Sequence, residues 1–315
     1  MDFELTDEQR LLGEVTRQLL ERGYDTEVRN RVSETELGWS RQVWAQLAEI
    51  GVLGLGLDPA EAGAVEILVV QNEIGRFVAL EPVIHAALVP GGLIAEAGNQ
   101  QQRALLGDIA AGQTLLAFAH IEPGMRAPSD SMATQAVLDG DTWVLHGSKN
   151  PVSAASSANH LVVSAALPEG GAGLFLVVAV ATTCRPYRTL DGQRAAHIDL
   201  NAATAEPLGA GGDASDQISR TVMRYQSALC AEAVGCMDEA LRLTTDYLTT
   251  RKQFGVTLNN FQTLTQRAAD MYVSLELARS MSLYAAISIA NASFDPLIAL
   301  STTPLVAPTI TFERL

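Results

Sequence analysis

Cations are scarce in this sequence. Its 21 lysines and arginines face 36 aspartates and glutamates, for a formal net charge of −15 over 315 residues. That balance repels a phosphate backbone and excludes nucleic acid as the main partner, while leaving room for a small anionic ligand where cations gather locally. Cysteine is rarer still. Cys184, Cys230 and Cys236 are odd in number and make neither a CxxC pair nor a metal-ligand spacing, so burial explains them better than a disulfide or a zinc site. The five histidines are too dispersed to suggest a metal site, and no metal is expected. Long apolar runs are also missing: the longest, LFLVVAVA at 174–181, falls far short of the about 20 residues a membrane helix needs. The opening MDFELTDEQR lacks the basic region and apolar core of a signal peptide, which leads to the expectation of a cytoplasmic protein without membrane association. Gly91-Gly92 and the glycines of 209–212 fit neither a Rossmann nor a P-loop pattern and read as turns.

What the sequence does have is a change of apolar period. Hydrophobic residues make up 48 %, enough at this length for a substantial core and for two or three domains. Thr6-Asp-Glu-Gln9 reads as a capping box, followed by Leu11, Leu12, Val15 and Leu19 at helical spacing. A second helix starts near Ser40 with Val43, Trp44, Leu47 and Ile50 on one face, and helical patterns continue through 64–79, 85–97 and 100–111. After Gly112 the period becomes two. TQAVLDGDTWVLHG carries a hairpin signal at Asp139-Gly140, and HLVVSAAL and GLFLVVAV are short branched runs. PLGAGGDAS breaks this texture, and helical spacing returns through Ile218, Val222, Leu229, Val234, Met237 and Leu241. The expected fold is mainly α with a β middle domain: a helical domain over 1–112, a β domain over 113–207, helices over 213–295 and an irregular tail over 296–315, where Pro296, Pro304 and Pro308 oppose a long helix.

One polar segment interrupts the last helical region. TTRKQFGVTLNNFQTLTQRAADM, at 249–271, holds Arg251 to pair with a phosphate, Phe254 to lie on a purine or ribose face, Gly255 to let the backbone approach a ligand, and Gln262 to hydrogen-bond a pyrophosphate oxygen or ribose hydroxyl. These residue types suit a dinucleotide cradle. They suit an ordinary helix connection with solvated charges as well.

Order and spacing add a resemblance. R-K-Q-F-G-x-x-L-x-x-F-Q followed by A-D-M resembles the signature of the acyl-CoA dehydrogenase family, and MDFELTDEQRLL, WSRQVWAQLAEIGVLGL, FAHIEP, WVLHGSKN and ALCAEAVGCMDEAL stand in family order over most of the chain. The likeness is greatest to the small subunit of pimeloyl-CoA dehydrogenase and similar partner subunits of heteromeric enzymes. It implies a helical N-terminal domain, a β-barrel or sandwich and a C-terminal helical bundle, here shortened. It also implies FAD as cofactor, an acyl-CoA substrate drawn from fatty acid or lipid catabolism, a second dehydrogenase subunit as partner and electron-transfer flavoprotein as acceptor.

Carried over residue by residue, the resemblance points both outward and inward. Arg251, Phe254 and Gln262 match the loop that touches the adenosine and pyrophosphate end of a neighbouring subunit's FAD. The ring-holding Thr-Glu-Pro reads Ile121-Glu122-Pro123 here, and the Trp-Ile-Thr that walls the flavin reads Pro151-Val152-Ser153, so Glu122 and Ser153 are the remaining candidates on that side. The family's base is a glutamate in one of two places. Tyr225 occupies the first, with a reference pKa near 10 that makes it a poor base at neutral pH, and the sequence ends at Leu315 before the second. No catalytic residue is assigned. Three readings stay open: a subunit whose base and main flavin pocket lie on a partner, a self-sufficient flavin-bound homo-oligomer, and a non-catalytic CoA-thioester-binding or scaffold protein.

Overall fold

The computed structural model describes residues 4–58, 63–128 and 131–291. The tail expected at 296–315 lies outside them. The order is helical, β, helical, as the change of period implies. The chain divides into two compact units whose segments alternate along the sequence: one takes the chain up to Tyr24, Gly63–Ala79 and the chain from Gln226 on, and the other takes what lies between.

The first unit is helical. Helix α1 (Asp7–Gly23) starts on the expected capping box, with Gln9 N donating to Thr6 Oγ1 at 3.2 Å and Thr6 N to Gln9 Oε1 at 2.9 Å. Helix α4 (Ala64–Phe77) lies against α1, the later part of α8 (Ser215–Thr250) and α9 (Gln262–Asn291). Leu68, Val69, Ala231 and Ala286 make one buried cluster, and Val234, Met237, Leu275 and Ala278 another. Two glycines set the spacing of the helices. A Cβ on Gly75 would fall 1.9 Å from Glu232 O, and one on Gly235 would fall 2.0 Å from Asn72 O, so α4 and α8 touch backbone to backbone there. Cys236 Sγ completes the crossing by donating to Gly75 O at 3.1 Å.

The second unit holds the barrel. Helices α2 (Thr26–Ser33), α3 (Arg41–Glu49), a π-helix (Ile84–Leu88) running into α5 (Val89–Ala97), α6 (Gln100–Arg103) and α7 (Leu105–Ala110) precede the strands. Strands β1 (Leu116–Ala119), β2 (Gln135–Asp139), β3 (Thr142–Ser153), β4 (His160–Ala166), β5 (Ala172–Val178), β6 (Thr183–Arg188) and β7 (Arg194–Pro207) form a single sheet. Its pairings run β4-β2-β3-β7-β5 and return to β4, closing a ring, with β1 attached to β4 and β6 to β7. Leu145, Leu161, Val163, Phe175, Val177, Ile198 and Leu200 are buried in its core. The β2–β3 hairpin turns one residue later than Asp139-Gly140 suggests: Asp139 pairs with Thr142, so Gly140 and Asp141 form the loop, and Gly140 carries the positive φ of 61°.

Candidate functional site

The 249–271 segment is more than a helix connection. After α8 ends at Thr250, Lys252–Gln253 (β8) pairs with Val256–Thr257 (β9), and the register Gln253↔Val256 leaves Phe254-Gly255 as a two-residue loop. Both loop residues have positive φ, 54° for Phe254 and 82° for Gly255. Positive φ at both central positions is the pattern of a type I′ hairpin turn, a place where Asn-Gly is the favoured pair. Glycine is at ease there and phenylalanine is not. Phe254 is also 92 % exposed, so an aromatic ring is held out in water on a strained backbone, its edge meeting Phe261 at 6.2 Å. Arg251 and Gln262 are exposed beside it in sequence, and among the described residues the Arg251 guanidinium has no ion-pair partner. Gln262 opens α9. The predicted loop residues are thus all exposed within this one segment, with the Phe254 ring resting its edge on Phe261.

The predicted barrel residues are also brought together, but in another way. Asn150 N donates to Ile121 O at 2.8 Å, which joins the 121–123 and 150–153 segments side by side. Ser153 ends β3, half-buried, opposite Ala195 of β7. Glu122 is 5 % exposed and its carboxylate faces inward, accepting from Ala133 N at 2.6 Å, Thr134 N at 3.0 Å and Lys149 Nζ at 2.6 Å. Any contact residue 122 makes with a ligand therefore comes from its main chain. Burial raises the Glu122 pKa, yet the hydrogen bonds from Lys149 and Thr134 outweigh this and hold the carboxyl below its ordinary range. Lys149, fully buried, is drawn down to about 8 by the loss of water, against the pull of Glu122. Its ammonium also donates to His120 O at 3.1 Å and reaches Ser164 Oγ at 3.4 Å. His120 Nε2 lies 2.7 Å from Pro128 O, a pure acceptor, so Nε2 carries the proton and Nδ1 accepts from Ser164 at 2.8 Å.

The partner of Tyr225 escaped the sequence reading. Tyr225 OH lies 3.0 Å from His85 Nδ1, with the rings edge to face at 5.5 Å. His85 sits in the π-helix, a rare geometry often found at functional positions. Loss of water lowers its pKa to about 4, against the charge of Asp191 and a hydrogen bond with Gln193, both from the β6–β7 turn. Residues 85 and 225 are 140 apart in sequence, and a lone histidine in an apolar stretch carries no signal of its partner.

Residues 6–113 match the family model for the acyl-CoA dehydrogenase N-terminal domain, and residues 216–303 match that for the acyl-CoA dehydrogenase C-terminal domain. The solved structure of a variant of the Tcur3481-Tcur3483 steroid ACAD is similar with TM-score 0.85 and 31 % identity, over 98 % of this chain and 83 % of that one. The chain belongs to the acyl-CoA dehydrogenase family. Probable acyl-CoA dehydrogenase YngJ of Bacillus subtilis is 26 % identical over 91 % of this chain and 80 % of its own length. The ChsE4-ChsE5 complex from Mycobacterium tuberculosis shares the fold, with TM-score 0.89 at 23 % identity over 98 % of this chain and 85 % of that one.

Acyl-CoA dehydrogenases are flavin-dependent oxidoreductases, and the two motif regions differ in how well they suit FAD. The hairpin's residue types suit one end of the cofactor: an exposed guanidinium for phosphate, an exposed aromatic face for adenosine and an amide at the start of a helix. The barrel segments fit the ring poorly. Ile121 has no donor, Glu122 has spent its carboxylate internally, and Ser153 is left as the single side-chain hydroxyl of the six motif positions. No helix among the described residues is long and apolar enough to cross a membrane.

Proposed function

We propose that this chain is the partner subunit of a heteromeric acyl-CoA dehydrogenase, most like the small subunit of pimeloyl-CoA dehydrogenase. It offers Arg251, Phe254 and Gln262 to FAD held by a second subunit, which supplies the base and the main flavin pocket. Glu122 and Ser153 line the remnant of this chain's own ring site. FAD, when bound, is the hydride acceptor in α,β-dehydrogenation of an acyl-CoA thioester, and electron-transfer flavoprotein then takes the electrons. The enzyme works in the cytoplasm.

The observation that carries this reading is Phe254. A protein that holds a phenylalanine in the left-handed region, and 92 % exposed, keeps a costly arrangement that its own fold does not use. A ligand from outside would use it. Exposed Leu243 and Tyr247 on α8, with Tyr272, Val273 and Leu277 on α9, give the same two helices an apolar surface suited to a neighbouring subunit. The two-protein composition named for the ChsE4-ChsE5 complex supports a heteromer of this fold.

The test is flavin retained per complex after co-purification of wild type or Arg251→Ala with the partner. A charge-assisted hydrogen bond of about 1.5–3 kcal/mol predicts a ten- to hundredfold weaker hold on flavin, with stability changed by no more than about 0.5 kcal/mol. Equal retention sinks the cross-subunit reading. A yellow, flavin-loaded chain purified alone would favour the self-sufficient homo-oligomer instead.

A further inference from the structure

We propose that a cavity between α4, α8 and α9 is a binding site for an uncharged amphiphile, a molecule with an apolar body of about six to eight carbons and one hydroxyl or carbonyl group. None of the motif residues of the hairpin or the barrel lines it.

The cavity has a volume of about 330 Å3 and lies wholly within the helical unit. Leu68, Val234 and Leu283 wall it from the three helices, and Leu5, from the stretch before α1, joins them. Protein interiors hold few voids larger than a water molecule, and a cavity of roughly 150 Å3 already takes up benzene. This one cannot shrink by drawing α4 and α8 together. Gly75 against Glu232 O and Gly235 against Asn72 O already hold those helices in backbone contact, and Gly235 and Asn72 are part of the cavity wall. The space is therefore fixed by the packing, and its size is that of a small-molecule site.

The chemistry of the wall selects the ligand. Its four charged residues are paired with one another: Arg76 bridges Asp238 and, at 3.3 Å, Glu73, and Arg279 Nη2 lies 3.0 Å from Asp238 Oδ1. Arg17 also holds Glu73, at 2.7 Å. An ionised ligand would leave water and meet no unpaired charge, which is costly. Two neutral polar groups are differently placed. Ser282 is 1 % exposed and its hydroxyl has no partner among the described residues, although Ser280 and Ser288 on the same helix return theirs to Glu276 O and Tyr284 O. Asn72 Oδ1 is likewise buried without a partner among them. A ligand hydroxyl can donate to Asn72 or exchange a hydrogen bond with Ser282, and a carbonyl can accept from Ser282. Water suits the space less well, since each molecule needs about two to four polar partners and the leucine and valine walls offer none.

The experiment titrates the full chain with 1-hexanol, with hexanoate and hexylammonium as charged counterparts and toluene as a probe without a hydroxyl. Methyl resonances of Leu68, Val234 and Leu283 should shift saturably with 1-hexanol, and the unfolding temperature should rise with occupancy. The two charged probes should bind at least about tenfold more weakly. Val234→Phe, which puts a ring into the cavity, should abolish the shifts at Leu68 and Leu283. Ser282→Ala or Asn72→Leu should weaken 1-hexanol about two- to tenfold, the worth of one hydrogen bond, and leave toluene unchanged. No saturable shift with any probe would leave the space to water and overturn the proposal. Hexanoate bound as tightly as 1-hexanol would overturn it too, as would unchanged binding in a folded Val234→Phe. Where that variant does not fold, 1-hexanol affinity unchanged in both polar variants would have the same force.

Discussion

The α8–α9 hairpin and the strand ends of the barrel both carry family motifs, and they spend their side chains in opposite ways. On the hairpin, Arg251, Phe254 and Gln262 are exposed, and the backbone is strained at Phe254. At the barrel, the Glu122 carboxylate is consumed by Lys149, Ala133 and Thr134, and the loop it organises is quiet. Matching a motif therefore says less than knowing whether the matched side chain is still available. One region leaves its motif side chains exposed, and the other turns its carboxylate inward.

Breaking the buried side should cost most. Lys149→Met leaves the Glu122 carboxylate inside the barrel without its cation, and loss of one partner of such a pair destabilises by about 3–5 kcal/mol, read from urea unfolding. A loss under about 1 kcal/mol would mean that water reaches the pair. At the helix crossing, Gly75→Ala forces a methyl into Glu232 O, and the expected cost is about 1–3 kcal/mol with the sheet signal in circular dichroism preserved.

A pH series sharpens the contrast without mutation. The folded-state pKa of His85 is depressed to about 4, so between the ordinary value of 6.5 and about 4 the unfolded chain binds a proton that the folded chain refuses. Stability is complete above pH 6.5 and falls as the pH drops through that window, by at most about 1.4 kcal/mol per pH unit from this group. His85→Asn should flatten that slope; an unchanged slope would assign it to other groups. The smallest effect lies on the hairpin and has the opposite sign. Phe254→Asn puts the preferred residue into the type I′ turn and should raise stability by about 1 kcal/mol while weakening flavin retention in the complex. A destabilised variant would show that the Phe254–Phe261 contact outweighs the strain.

Periodic signals were legible and pairings across the chain were not. The capping box at Thr6, the switch at Gly112 and the break before Ser215 are local patterns, and each reappears where the residues imply. The loop segment stands out in the sequence because its polar residues fall within a dozen positions. Gly75 and Gly235 look like weak points in helices, and only the 1.9 and 2.0 Å approaches reveal them as contact points between α4 and α8. Nor could sequence order show that Gly63–Ala79 joins the helices at the far end of the chain. Lys149 reads as a strand residue of ordinary exposure by alternation, and its burial follows from a carboxylate 27 positions away.

The closed ring has a consequence for how the protein is made. Strand β7 pairs with β3, β5 and β6, so the barrel cannot close until residue 207 has left the ribosome. Until then β4 and β5, almost wholly apolar, form a hairpin with an unpaired flank on β5. At about 5–20 residues per second, the nascent chain spends seconds in that state. Long-range pairings of this kind form slowly, and an open apolar edge is a template for other chains. Substitutions in β7 should therefore appear as lost yield at synthesis before they appear as lost stability in the purified protein.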